Sequence, residues 1–239
     1  MTDVELIVNA DDLGLSNGVN AGIGRAHRNG IVTSASLMVR APAAVRAAEL
    51  ARAFPALSVG LHLDFAEWER RDGSWHPVYL VVDPDDEREV HAEAVRQLER
   101  FRSLVGADPT HLDSHQHVHR DGAARTVASR LAAELQVPLR HMSAARYCGA
   151  FYGHDRDGVA IPGALGVEAL LAIVDALPSG VHELCCHPAA ALDFGGAYRE
   201  PRLAELRTVC DARVRTGLVE RGVRLRPHRG APRPPRDPG

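Results

Sequence analysis

Seven times along this chain a short apolar run gives way to a longer amphipathic stretch, and that alternation limits the fold more than any other feature. "ELIVNA" (Glu5 to Ala10) reads as a buried strand, and Ser16 or Asn17 then caps a helix that runs to about Asn29 with Gly30 as its stop. "SASLMV" (Ser34 to Val39) precedes an Ala-rich helix between Pro42 and Pro55, and "SVGLHLDF" (Ser58 to Phe65) is the third strand. A loop from about Ala66 to Asp85 carries Trp68, Trp75 and Pro77, and a charged helix over Asp86 to Val105 follows it. "THLDSH" is the fourth strand, then comes a helix over Gly122 to Leu135, with "PLRHM" (Pro138 to Met142) as a short fifth strand. A helix over Gly166 to Leu177, the strand "GVHELCCH" (Gly180 to His187), a long helix over Pro201 to Arg221 and a last strand "GVRLR" complete the pattern.

Repeated strand-helix units predict a parallel sheet, either closed as a barrel or open and doubly wound. The position of polar residues separates the two. Strand one ends in Asp11-Asp12, strand three carries His62 near its end, strand four reaches Asp113 and His115, and strand six stops at His187-Pro188. A barrel collects chemistry from several strand ends, whereas an open sheet concentrates it near one switch point. The expected architecture is therefore α/β: a distorted TIM-type (β/α) barrel of about seven parallel strands, a single domain over residues 4–226. Residues 227–239, with five prolines and no apolar pattern, read as a disordered Pro/Arg-rich tail.

Composition removes several alternatives. Hydrophobic residues make up 45% and charged residues 25%, ordinary for a globular chain, and no apolar run approaches the length of a membrane span. The start "MTDVELIVNADD" lacks a basic leader segment, so a cytoplasmic protein without membrane insertion is expected. The cysteines, Cys148, Cys185, Cys186 and Cys210, form no C-x-x-C pair and read as small buried hydrophobes. A net charge of -3 gives no reason to expect nucleic acid as a partner. Every basic residue is Arg, and the absence of Lys rules out a P-loop lysine or a Schiff base.

"THLDSHQHVH" (Thr110 to His119) concentrates four of the 13 histidines with one aspartate. At a period of two, His111, Asp113, His115, His117 and His119 share one side of an extended segment, which makes either a metal face or a solvated histidine-rich loop. A hydrolytic metal needs about three protein ligands and a position open to water. Asp12, His62 and His115 supply one carboxylate and two imidazoles from three strand ends, with His117 and His119 read as supporting or surface groups. Each residue alone has an ordinary explanation, His62 as a core histidine and Asp11-Asp12 as a helix-capping turn; their coincidence at one sheet end does not. Asp11, next to a ligand but unbound, is the expected general base, and His187 the expected acid for a leaving amine.

The segments "LIVNADDLGLSNGVNAGIGRAHRNGIVTSASLMV", "VGLHLDF", "THLDSHQHVH" and "ELCCHPA" together resemble the YdjC-like carbohydrate deacetylases, the family of chitooligosaccharide and hopanoid-associated deacetylases. The resemblance covers about Glu5 to Leu225 in order. It implies Asp11 as base, Asp12, His62 and His115 as metal ligands, and His187 of "CHPA" as acid. It further implies one divalent ion (magnesium or zinc, with cobalt as a further option), an N-acetylated amino sugar as substrate, and the occurrence of homodimers. Asp64 and Phe65 depart from the family's usual "GLHLNLT", and the span Ala66 to Asp85 reads as a short loop that reduces the lid over the site. Phe151 and Tyr152 of "AFYG" are candidates either for stacking on a sugar or for barrel packing. Two other readings are a metal-dependent phosphoesterase or amidohydrolase on a similar barrel, and a non-catalytic sugar- or metal-binding barrel.

Overall fold

The computed structural model describes residues 3–155, 159–196 and 198–228. Strands β1 (Val4–Leu13), β2 (Ser34–Leu37) and β3 (Ser58–Leu63) alternate with helices α1 (Asn17–Asn29) and α2 (Ala44–Ala53). A hairpin of β4 (Ala66–Arg71) and β5 (Ser74–Leu80) follows, then α3 (Glu87–Val105), β6 (Leu112–Ser114), a 3-10 turn over His115–Arg120, and α4 (Gly122–Leu135). The chain ends with β7 (Arg146–Cys148), α5 (Val167–Asp175), β8 (Gly180–Cys186), α6 (Glu200–Val209), α7 (Ala212–Glu220) and β9 (Arg224–Leu225). Seven strands make one parallel sheet in the order β6-β3-β2-β1-β8-β7, with β9 beside the first half of β1. Among the described residues the edge strands β6 and β7 do not pair with each other, so the expected barrel is a curled, unclosed sheet.

The sheet alternates with a period of two. Leu6, Val8, Ala10, Ala35, Leu37, Val59, Leu61, Leu112 and Leu184 belong to the apolar cluster shared with the helices. The residues between them are polar and buried: Asn9, Asp11, Ser34, Ser36, Ser58, His62, Asp113 and Glu183. These line the concave side and hydrogen-bond to one another, as buried polar groups must. Asn9 Nδ2 donates to Ser36 Oγ at 2.8 Å, and Ser36 Oγ donates to Asp113 Oδ2 at 2.6 Å. Gly60 belongs to this lining because a Cβ there would stand 2.5 Å from the His111 ring. A second close approach, at Gly22 of α1, lets the segment after β8 lie against that helix: a Cβ would come 2.6 Å from Ala189 Cα.

Ser16 caps α1 by accepting from Val19 N at 3.1 Å, as expected. Three expected elements differ. The span read as a loop, Ala66 to Asp85, contains the antiparallel β4-β5 hairpin, turned by Asp72 (φ 50°) and Gly73 (φ 79°). Asp-Gly between two strands is the signal of such a two-residue turn, and the charged β4 and exposed β5 around it masked the pattern. Pro138 to Met142 is not a strand: after one bridge from Leu139 to Leu112, the Met142 N–H turns back to the Leu139 carbonyl, and Arg140 is drawn into the concave face. The long helix over Pro201 to Arg221 is two helices, because Asp211 leaves the helical conformation and caps α7 by accepting from Arg213 N. Of the tail 227–239, only Pro227 and His228 are among the described residues. No helix among them is long and apolar enough to cross a membrane.

Candidate active site

Consecutive strand residues point to opposite faces, so Asp11 and Asp12 could not share a site on a regular strand. Asp12 adopts φ 64°, and the register of β1 against β2 shifts between Ala10 and Leu13. That irregularity turns both carboxylates toward the concave end of the sheet and gives them different partners. Asp12 Oδ1 lies 3.3 Å from His62 Nε2 and 3.3 Å from His115 Nδ1, while Arg202 Nη2 holds Oδ2 at 2.6 Å. Asp11 is gripped by Arg140, Nη1 to Oδ2 at 2.6 Å and Nη2 to Oδ1 at 2.7 Å, with Asn9 Nδ2 donating to Oδ1 at 2.8 Å.

The Asp12, His62 and His115 ligand atoms lie within 4.8 Å of one another. His62 is fixed by its other nitrogen, Nδ1, which is 2.8 Å from Asp113 Oδ1, so Nε2 is left facing Asp12. A carboxylate behind a ligating histidine is the usual way a metal site orients its imidazole. His115 Nε2 is buried without a hydrogen-bond partner, with Glu67 Oε2 at 3.9 Å. Two imidazoles and one carboxylate oxygen, converging at distances too long for strong hydrogen bonds, fit a divalent ion of the kind that accepts mixed N/O ligation.

Burial by itself would raise both aspartates; the Arg140 guanidinium overrides it at Asp11, and Arg202 with the two histidines overrides it at Asp12, so both carboxyls sit well below the usual range. His187 stands at the end of β8, with Nε2 3.8 Å from Cys185 Sγ and Nδ1 3.8 Å from Glu205 Oε1. Its backbone N–H donates to Glu205 Oε2. The Asp11, Cys185 and His187 polar atoms lie within 4.8 Å of one another. Base and acid candidates thus flank one point instead of facing each other across a wide gap.

The expected period-two face of Thr110 to His119 ends at Ser114. His111 and Asp113 face the concave side, His115 tops it, and Gln116 (φ 49°) and His117 (φ 56°) take left-handed conformations that fold the chain back. His119 is fully buried against Ser114 and the Arg140 carbonyl, and His117 meets Tyr147 and His141. The same turn anchors the hairpin, since the Gln116 amide bonds the backbone of Trp68 on β4 at both N–H (2.8 Å) and carbonyl (2.7 Å). Phe151 is part of the apolar core; Tyr152 is at the site, stacked on Tyr198 at 4.4 Å and edge-on to His187 at 5.6 Å.

Residues 5–220 match the model of the family described as YdjC-like protein. The chain belongs to the YdjC-like family. It is 35% identical to a carbohydrate deacetylase of Geobacillus stearothermophilus, covering 92% of this chain and 94% of that one. It is 34% identical to a chitooligosaccharide deacetylase of Salmonella newport, covering 92% and 96%. A crystal structure of an Enterococcus faecalis protein ascribed to cellobiose-phosphate cleavage superposes with a TM-score of 0.77 at 27% identity, covering 95% and 98%. For this YdjC-like chain, Arg140, Arg202, Glu205 and Glu67 are site residues that no local pattern announced. Arg140 lay inside an apparent strand, and Arg202 and Glu205 inside the apparent long helix over Pro201 to Arg221.

Proposed function

We propose that this chain is a metal-dependent carbohydrate N-deacetylase, hydrolysing the acetamide of an acetylated amino sugar to acetate and a free amine. The observation that carries the reading is the kink at Asp12, which sets two adjacent carboxylates side by side with separate partners. The names of the 34–35% identical relatives support the sugar amide as substrate class. Asp12, His62 and His115 are the residues that hold the ion, with magnesium, zinc and cobalt all compatible with the set. The chemistry such an ion supplies is Lewis acidity toward a carbonyl oxygen and an acidified water.

The protein's own groups do the proton transfers. Asp11 takes the proton of the attacking water. Arg140 keeps that carboxylate ionised at neutral pH and aims it, at the expense of some basicity. His187 gives a proton to the nitrogen as the C–N bond breaks, because an amine leaves poorly as an anion. Buried Glu205 holds the His187 backbone N–H and stands 3.8 Å from its Nδ1, which has no hydrogen-bond partner among the described residues. Tyr152, Glu67 and the hairpin border the space left for the sugar.

The test is acetate release from N-acetylglucosamine oligomers, diacetylchitobiose and acetylated glycolipid analogues, with each of the three metals supplied. Release from none of them would overturn the reading. His187→Ala is expected to lose turnover by orders of magnitude on the amide and far less on an activated ester, whose leaving group needs no proton. Equal losses on both would remove His187 as the acid.

A further inference from the structure

The polar lining of the concave face runs past the catalytic carboxylates to the far end of the chain. After β9, the Arg226 N–H donates to the Leu6 carbonyl at 3.0 Å, and the chain then passes under β3, where the Ser58 hydroxyl donates to the His228 carbonyl. His228 is 5% exposed. Its ring stacks on His111 with centroids 4.1 Å apart and planes 22° from parallel, and its Nε2 lies 3.5 Å from Glu183 Oε2. The other oxygen of Glu183 accepts from Arg140 Nε at 2.6 Å, and the two terminal nitrogens of Arg140 grip Asp11. His228, Glu183, Arg140 and Asp11 thus form one unbroken line of contacts through the interior.

We propose that His228 is a positioning residue for the general base, acting through Glu183 and Arg140; the role rests on the deacetylase reading above. Arg140 serves three buried carboxylates, Asp11, Asp113 and Glu183, with one guanidinium. The plane of that fork decides where both Asp11 oxygens sit. Glu183 sets the plane through Nε, and can do so only if its own free oxygen is held in turn. His228 Nε2, buried and without a hydrogen-bond partner among the described residues, stands 3.5 Å from that oxygen, and stacking on His111 fixes the ring that backs it. His111 is itself tied into the lining, with Nε2 3.1 Å from Ser36 Oγ, the hydroxyl that donates to Asp113. Residues that orient a site from behind in this way are typically worth about 10–100-fold in metal affinity or activity. The segment after β9 is on this account part of the active site, although it touches no substrate.

The experiment uses the full chain loaded with metal. His228→Leu fills the space without a polar group, and His228→Gln offers an amide N–H to Glu183. The expected result for His228→Leu is a fall in kcat of about 10–100-fold with KM and bound metal unchanged, and for His228→Gln the recovery of most of that loss. Should His228→Leu not fold, His228→Asn, whose shorter amide falls short of Glu183, takes its place with the same expected contrast. An activity-independent arm measures thermal midpoints for His228→Leu, Glu183→Gln and the double variant. Residues in contact give a combined loss that departs from the sum of the single losses. Unchanged kcat in His228→Leu, equal losses in Leu and Gln variants, or strictly additive midpoints would each overturn the proposal. If the parent protein released no acetate from any sugar, the deacetylase reading would fail, while the midpoints would still report the His228–Glu183 contact.

Discussion

Arg140 is 2% exposed and is bonded to Asp11, Asp113 and Glu183, so replacing it with methionine leaves three buried carboxylates without their shared cation. Removing one partner of a buried ion pair typically costs about 3–5 kcal/mol. A second route to the magnitude is to let one carboxyl relieve the strain by taking a proton. At pH 7 that means neutralising an acid of ordinary pKa near 4, about three units at 1.36 kcal/mol each, or about 4 kcal/mol. The two figures agree. For a domain of this size each kcal/mol moves the thermal midpoint by about 2–4 °C, so Arg140→Met should lose about 8–16 °C at pH 7. The pH dependence follows from the signs. In the parent protein Asp11 is held well below its usual range and Glu183 at about 2, against burial, so their contribution to stability is complete above the unfolded values and is lost only as pH falls below them. In the variant at least one carboxyl is raised, so protonation stabilises the fold as pH drops from 7. Neutralisation costs only about 1.4 kcal/mol at pH 5, and the gap should shrink there to about 3–6 °C. Calorimetry of both proteins at the two pH values decides the matter. A variant within about 2 °C of the parent at pH 7, or a gap that does not narrow at pH 5, would refute the reasoning.

His115→Ala is expected to abolish stoichiometric metal binding while His117→Ala keeps it, because only His115 faces Asp12; metal analysis of the purified variants reads this directly. Asp11→Asn should keep its metal and lose about 10²–10⁴-fold in kcat, the usual worth of a general base, and near-parental turnover would remove Asp11 from that role. Burial pushes His117 down to about 3 and His119 to about 4, so both stay neutral in the fold while the unfolded chain takes up protons below about 6.5. Their contribution to stability is full above that value and is lost as pH falls toward 4, so urea midpoints should drop between pH 7 and 5, and His119→Asn should flatten the slope.

The strands were legible because their helix-facing residues are continuous apolar series, and the convergence of Asp11, Asp12, His62, His115 and His187 at one end of the sheet was legible because they fall at strand ends. Where pattern reading failed, the deciding forces were non-local. Arg140 breaks the apparent strand at Pro138 to Met142 because three carboxylates from β1, β6 and β8 pull its side chain inward, and no neighbour in sequence records that. His228 was hidden by the proline- and arginine-rich composition around it. The hairpin carried a proper Asp-Gly signal, but β5 is exposed along nearly its whole length and β4 is only half-buried, so they never showed a buried series. The left-handed Asp12 is the subtlest case, since "NADD" gives no hint of which aspartate bends the backbone.

The 3-10 turn after β6 joins His115 to the hairpin. His115 and Gln116 are adjacent, and Gln116 holds Trp68 at both backbone atoms much as a neighbouring strand would. Displacement of the hairpin therefore levers on the same turn that carries His115, one of the residues proposed to hold the ion. Trp68 is tied directly to the residue beside His115, whereas the Asp72-Gly73 tip lies at the far end of the hairpin. Within this architecture, the position of the hairpin at Trp68 and the position of His115 share one hinge.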